Sequence, residues 1–153
     1  MVRLALIASA LVLSACGEAS VTDPEPAVFV EADGAFIIDP PAGRDVAAGG
    51  LVIQATGDAY DFVGVRTDSA DRVEIHTMGM EDGVMRMRQV DRLAAEPGTP
   101  LVLERGGNHL MLFGFDDALQ PGDSIELLLD FEGSDGETTT LNISADVRGL
   151  GDQ

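Results

Sequence analysis

Cysteine occurs once in this chain of 153 residues, at Cys16. A single cysteine excludes any intramolecular disulfide framework. Basic residues are also scarce: nine Lys+Arg, all of them arginine, stand against 27 Asp+Glu, for a formal net charge of −18. That balance excludes nucleic acid and electrostatic docking on anionic lipid as partners, and an acidic surface serves mainly solubility. The longest apolar run, Leu4 to Val12, is too short to span a bilayer as a helix. No stretch sustains a helical period, and no nucleophile motif such as G-x-S-x-G is present. Histidine, the usual general acid or base, is limited to two positions, His76 and His109.

The amino terminus reads as a processing segment. Met1-Val2-Arg3 supplies one positive charge ahead of the apolar run, and Leu13-Ser14-Ala15-Cys16 resembles a bacterial lipobox, in which cleavage precedes an acylated cysteine. Acylation would also remove a thiol that is a liability in an oxidising compartment. The expected layout is a lipoprotein signal peptide over 1–15, an acylated Cys16 with a flexible tether over 16–26, a β-domain over 27–148 and a short tail over 149–153. The tether is polar and holds two prolines, Pro24 and Pro26, which favours a solvated, extended chain.

Within the domain the patterns are short, β-rich and punctuated by glycine. Ala27 to Glu31 and Ala35 to Ile38 read as strands split by Asp33-Gly34. Leu51 to Thr56 and Ala59 to Arg66 read as a hairpin across Gly57-Asp58, and Val73 to Met80 with Val84 to Val90 as a second across Asp82-Gly83. Leu101 to Arg105, His109 to Phe115, Ser124 to Phe131 and Thr138 to Val147 complete the set. Many short strands with no room for crossover helices predict an all-β sandwich or small barrel forming one domain with a proper core.

Chemistry concentrates between Val73 and Met111. Both histidines lie there, each opening an H-x-M triplet, His76-Thr77-Met78 and His109-Leu110-Met111, with Met80, Met85 and Met87 between them. Imidazole and thioether form a soft donor set that suits Cu(I) rather than Mg or Ca. In a strand, residues i and i+2 share a face, so each histidine shares one with its methionine. If Asp82-Gly83 forms a two-residue turn, Met78 opposes Met87, and Met87 becomes the diagonal neighbour of His76 on the same face. A three-residue loop would put Met87 on the wrong face. Methionine in a β-protein usually fills core, and Met80 and Met85 read as core or rim; Met78 stays open as a substitute or auxiliary sulfur. Arg86 and Arg88 alternate with the methionines and face away from them.

The spacing His76, ten residues, Met87, twenty-one residues, His109, one residue, Met111 resembles the His-x10-Met-x21-His-x-Met signature of the PCu(A)C periplasmic copper chaperones. The surrounding words Val73-Glu74-Ile75-His76, Glu81 to Arg88 and Gly106-Gly107-Asn108-His109 are similar too, and the likeness is best over residues 50 to 147. It implies a Greek-key sandwich of the cupredoxin-like or immunoglobulin-like kind. It also implies a Cu(I) site on His76, Met87, His109 and Met111, and delivery of copper to the CuA centre of cytochrome c oxidase, subunit II, alongside Sco-type proteins. Asn108 departs from the aromatic residue common there in relatives. The final stretch, Arg148 to Gln153, lacks the His/Met-rich extension by which some relatives take Cu(II), so that second activity is expected to be absent.

Neutral imidazole is required for ligation, so copper binding should weaken below about pH 6.5, the ordinary imidazole range. A blue-copper electron carrier is excluded for want of a cysteine ligand within the domain. An enzyme is not expected. The rival reading is a metal-free, lipid-anchored β-sandwich that serves as an interaction module.

Overall fold

A computed structural model of the chain describes residues 30–151. The segments read as signal peptide, lipidated Cys16 and tether lie outside the described residues. Among the described residues ten strands follow one another: β1 (Val30–Ile38), β2 (Val46–Ala55), β3 (Tyr60–Arg66), β4 (Arg72–Glu81), β5 (Val84–Val90), β6 (Leu93–Ala95), β7 (Leu101–Leu103), β8 (His109–Phe113), β9 (Ser124–Gly133) and β10 (Thr138–Arg148). They pair along the path β5-β4-β8-β2-β1-β10-β9-β3-β6, with β7 added to β2. All pairings are antiparallel except β1 with β10. The β-sandwich expected from the strand spacing is the fold observed.

Period-two burial explains why the path folds over on itself. From one half, Ile37, Leu51, Ile53, Ile75, Leu110 and Leu112 point inward; from the other, Phe62, Leu127, Leu129, Phe131 and Val147 meet them in one core. Phe62 and Phe131 stack at 5.3 Å between ring centroids, a tilted arrangement suited to aromatic quadrupoles.

Two local expectations are corrected. The break expected at Asp33-Gly34 is a bulge inside one strand: the β1–β2 register slips by one residue between Asp33 and Phe36, where Gly34 takes φ of +63°. The bulge changes which residues face inward, from Val30 before it to Ala35 and Ile37 after it. Phe36 and Ile38 are thereby turned to the outer face. Next, β2 and β3 do not form a hairpin. β2 pairs with β1, β7 and β8, and β3 with β6 and β9. Gly57 (φ +84°) does turn the chain, but across the sandwich, because Ile53 and Phe62 both need the core and reach it from opposite layers. β7 and β8 lie end to end along β2, at Leu51–Ile53 and at Val46–Gly49 respectively.

One polar clamp ties the far layer. Arg66 donates from Nε and Nη2 to the two carboxylate oxygens of Asp130, both at 3.0 Å, and the Thr140 hydroxyl donates to Oδ1 at 2.6 Å. The Arg66 hydrogen bonds hold the Asp130 carboxyl below its ordinary range, against the opposing effect of burial. A depressed carboxyl stabilises the fold above the unfolded carboxyl's range, and that stability is lost as pH falls through the folded value. Asp130→Asn should therefore cost about 1 kcal/mol at neutral pH, since Arg66 is largely exposed. The gap in urea midpoint between variant and parent should close as pH falls below the ordinary carboxyl range and through the depressed folded value; a gap that persists undiminished in acid would refute this.

Candidate metal centre

The β4–β5 hairpin sets the geometry. Asp82 and Gly83 have φ of +50° and +78°, the two positive values that a type I′ turn demands. The tight turn fixes the even register: Glu81 opposes Val84, Met80 opposes Met85, Met78 opposes Met87 and His76 opposes Gln89. On the other side of β4, His76 lies directly opposite His109, and Glu74 opposite Met111. His76, Met87, His109 and Met111 therefore all share one face of the β5-β4-β8 sheet. That face is the one turned away from the core, since Ile75 and Leu110 occupy the inner side.

The two imidazoles sit side by side, with ring centroids 5.8 Å apart and planes tilted by 37°. His109 is buried, the single buried polar or charged residue among those described. Its Nδ1 is 3.0 Å from the Gly107 carbonyl oxygen, an acceptor only, so Nδ1 carries a proton, and in the neutral imidazole Nε2 keeps a free lone pair. The loop that supplies this carbonyl is closed by Glu104 and Asn108: the Glu104 amide donates to Asn108 at 2.6 Å and the Gly107 amide to Glu104 at 3.2 Å. Gly106 makes it possible with φ of +91°.

His76 is held in the complementary way. Its Nε2 is 2.8 Å from Glu74 Oε2, and the other Glu74 oxygen accepts from Arg72 Nε at 2.7 Å. Arg72 in turn lies over the Phe113 ring, 4.4 Å from its centroid. The hydrogen bond to His76 is the main cause that holds the Glu74 carboxyl below its usual range, with Arg72 adding to it against burial. An ionised Glu74 can only accept, so His76 Nε2 carries a proton, and in the neutral imidazole the lone pair is on Nδ1. That Nδ1 is the one buried side-chain nitrogen or oxygen without a hydrogen-bond partner among the described residues. A buried lone pair with nothing to accept from is costly; a metal ion satisfies it, and a carboxylate–histidine pair is the usual way to orient such a ligand.

The thioethers flank the imidazoles. Met78 and Met87 lie together on one side of the pair, and Met111 lies on the other, level with Glu74. The two signature sulfurs are thus on strands separated by β4, with about 13 Å between their levels along the strands. A cavity of about 170 Å3 opens beside His109, lined by Met78, Met87, Phe36, Ile38 and Ala48 among others. Its apolar walls favour thioether over water as a ligand partner. Among the described residues no group of three or more His, Cys, Asp or Glu side chains converges as a metal cage.

Arg86 and Arg88 face away from the methionines as their alternation requires, tied to Glu81 at 3.3 and 2.6 Å. Sequence reasoning missed Glu74 and the Gly107 carbonyl. Glu74 could have been found, since it stands two residues before His76 and shares its face. Phe36, Ile38 and Ala48 had no such signal, because a bulge and a distant strand bring them in.

The all-β sandwich is the fold of solved PCuAC domains. The copper-bound PCuAC domain from PmoF2 is 18% identical, with a TM-score of 0.62 over 79% of this chain and 93% of that one. The apo form of DR1885 from Deinococcus radiodurans is 25% identical, with a TM-score of 0.59 over 97% and 95% of the two chains. The CuI form of DR1885 is 28% identical, with a TM-score of 0.55 over 75% of each. The resemblance to PCu(A)C proteins read from the signature thus holds at the level of the fold. The family model described as "Putative lipoprotein LpqE-like" matches residues 30–144; the chain belongs to this LpqE-like lipoprotein family. Among curated proteins none matches the sequence.

Proposed function

We propose that this protein is an extracytoplasmic Cu(I) metallochaperone that binds one copper ion and passes it to a cuproprotein. His76 and His109 supply Nδ1 and Nε2, and Met87 and Met111 supply thioether sulfur. One observation carries the reading. Two adjacent imidazoles each have one nitrogen committed to a fixed acceptor, and the His76 nitrogen left over is buried without a partner. Thioethers stand on both sides of the pair. That donor set selects soft, reduced copper. Copper-bound relatives of the same fold support the choice of metal.

The protein acts as a carrier rather than an enzyme. Neutral donors near a surface can be replaced one at a time by a partner's ligands, and the copper moves without changing charge or oxidation state. Membership in a lipoprotein family supports a lipid anchor at Cys16 and a place in the bacterial periplasm. The acceptor we favour is the CuA centre of cytochrome c oxidase, with Sco-type proteins as co-workers.

The test is a titration of the whole chain with Cu(I) against a competing chromophoric chelator. One equivalent should be held tightly, and Zn(II) should not displace it. A chain that leaves all the copper with the chelator would overturn the proposal and leave a tethered, metal-free interaction module.

A further inference from the structure

The hairpin carries more sulfur than one site uses. Its register places Met80 opposite Met85 and Met78 opposite Met87, and His76 follows in the same row. Alternation puts all five side chains on one face, as two cross-strand thioether pairs leading up to a histidine. Exposure falls along the row: Met80 is 65% and Met85 49% exposed, Met87 48%, Met78 is half-buried, and His109, beyond His76, is 6% exposed. Residues that stand so far out of the core are not filling it. An unbranched thioether held in water gives up its burial energy, and here three of them, Met80, Met85 and Met87, do so side by side.

We infer that Met80 and Met85 form a receiving site for Cu(I) at the hairpin tip, and that copper passes from it through Met78 and Met87 to the histidine pair. The inference rests on the proposed function and adds a route to it. Cross-strand side chains about 5 Å apart at Cβ can bring two sulfurs onto one ion, and the next pair along a strand is about 7 Å further on. Each transfer makes one Cu–S bond as another breaks. Thioether carries no proton, so none is released, and copper remains Cu(I) throughout. Softness keeps the harder ions Mg and Ca off the track. The two arginines of the hairpin are tied to Glu81 on the opposite face, away from the sulfurs; the cation beside the track is Arg105, which lines the cavity next to Met78 and Met87 at its inner end. At the inner end, imidazole nitrogen joins the sulfur ligands, and the ion settles there.

The test uses the whole chain and Cu(I) presented as a weak chelate, with uptake followed by stopped flow. The Met80→Leu/Met85→Leu double variant keeps the shape and removes the outer sulfurs. Uptake should slow roughly tenfold, equivalent to a barrier raised by about 1.4 kcal/mol, while the affinity of the final site stays unchanged. Equal uptake rates in variant and parent would sink the track and leave the chaperone reading intact. A parent chain that binds no Cu(I) would instead sink the chaperone reading. An independent arm adds Ag(I), a redox-inert stand-in, to a His76→Ala/His109→Ala chain labelled at the methionine methyl carbons. The Met80 and Met85 resonances should move, and resonances that stay put refute the receiving site.

Discussion

His109→Ala should abolish tight Cu(I) binding, with a loss of affinity beyond about 100-fold, while the domain remains folded. The size follows from comparison with a weaker lesion. Removing a group that only orients a ligand costs about 10–100-fold in metal affinity, and Glu74→Ala, which frees the His76 ring from its carboxylate, should fall in that range. Deleting an imidazole removes the donor itself and must cost more. The fold should survive because the neighbouring core contact is made by Leu110, on the opposite side of the strand. Competition against a Cu(I) chelator, with a thermal melt in parallel, separates the two effects. If His109→Ala held copper as well as the parent, the imidazole pair would not be the site. If Glu74→Ala cost more than His109→Ala, the roles given to carboxylate and imidazole would be reversed.

Gly50→Ala should destabilise the domain by about 3 kcal/mol, at the upper end of what overpacking costs. A methyl group at this position would overlap the Leu103 carbonyl oxygen and stand 2.9 Å from the Phe36 ring. The ring could rotate away. The carbonyl cannot, since Leu103 is paired to Leu51 at the end of β7, where the chain leaves β2 to make the loop that carries His109. Pushing it out would disturb the Gly107 carbonyl that fixes the His109 proton. The variant should therefore lose copper affinity together with stability, although residue 50 itself offers no ligand. A urea melt checks the first effect and chelator competition the second; an unchanged midpoint would show that the strand end yields more freely than a paired backbone should.

The parts of the site that were legible in the sequence are those written in short-range code. Asp82-Gly83 specifies a two-residue turn, the turn specifies the register, and the register puts Met87 diagonal to His76; each step follows from local chemistry. The facing of Arg86 and Arg88 followed from the same alternation. What escaped was long-range. The pairing of His76 with His109 depends on β8 choosing β4 as its neighbour, and no local pattern states that choice. The supposed hairpin of β2 and β3 had the right turn residues, Gly57-Asp58, but the wrong partners, because burial of Ile53 and Phe62 in facing layers outweighs adjacency. Asp33-Gly34 looked like a break, and its role as a bulge emerges only from the count of residues against β2. The His76–Glu74 bond lay between these cases: its face was legible, its geometry was not.

The strands β4 and β8 work as a partition. Oily residues behind it keep the protein in one piece; the nitrogen and sulfur donors of the proposed copper site stand in front of it. Because no side chain serves both rooms, selection can re-equip the front, swapping one donor for another or retuning how firmly the ion is gripped, without reopening the question of whether the molecule folds.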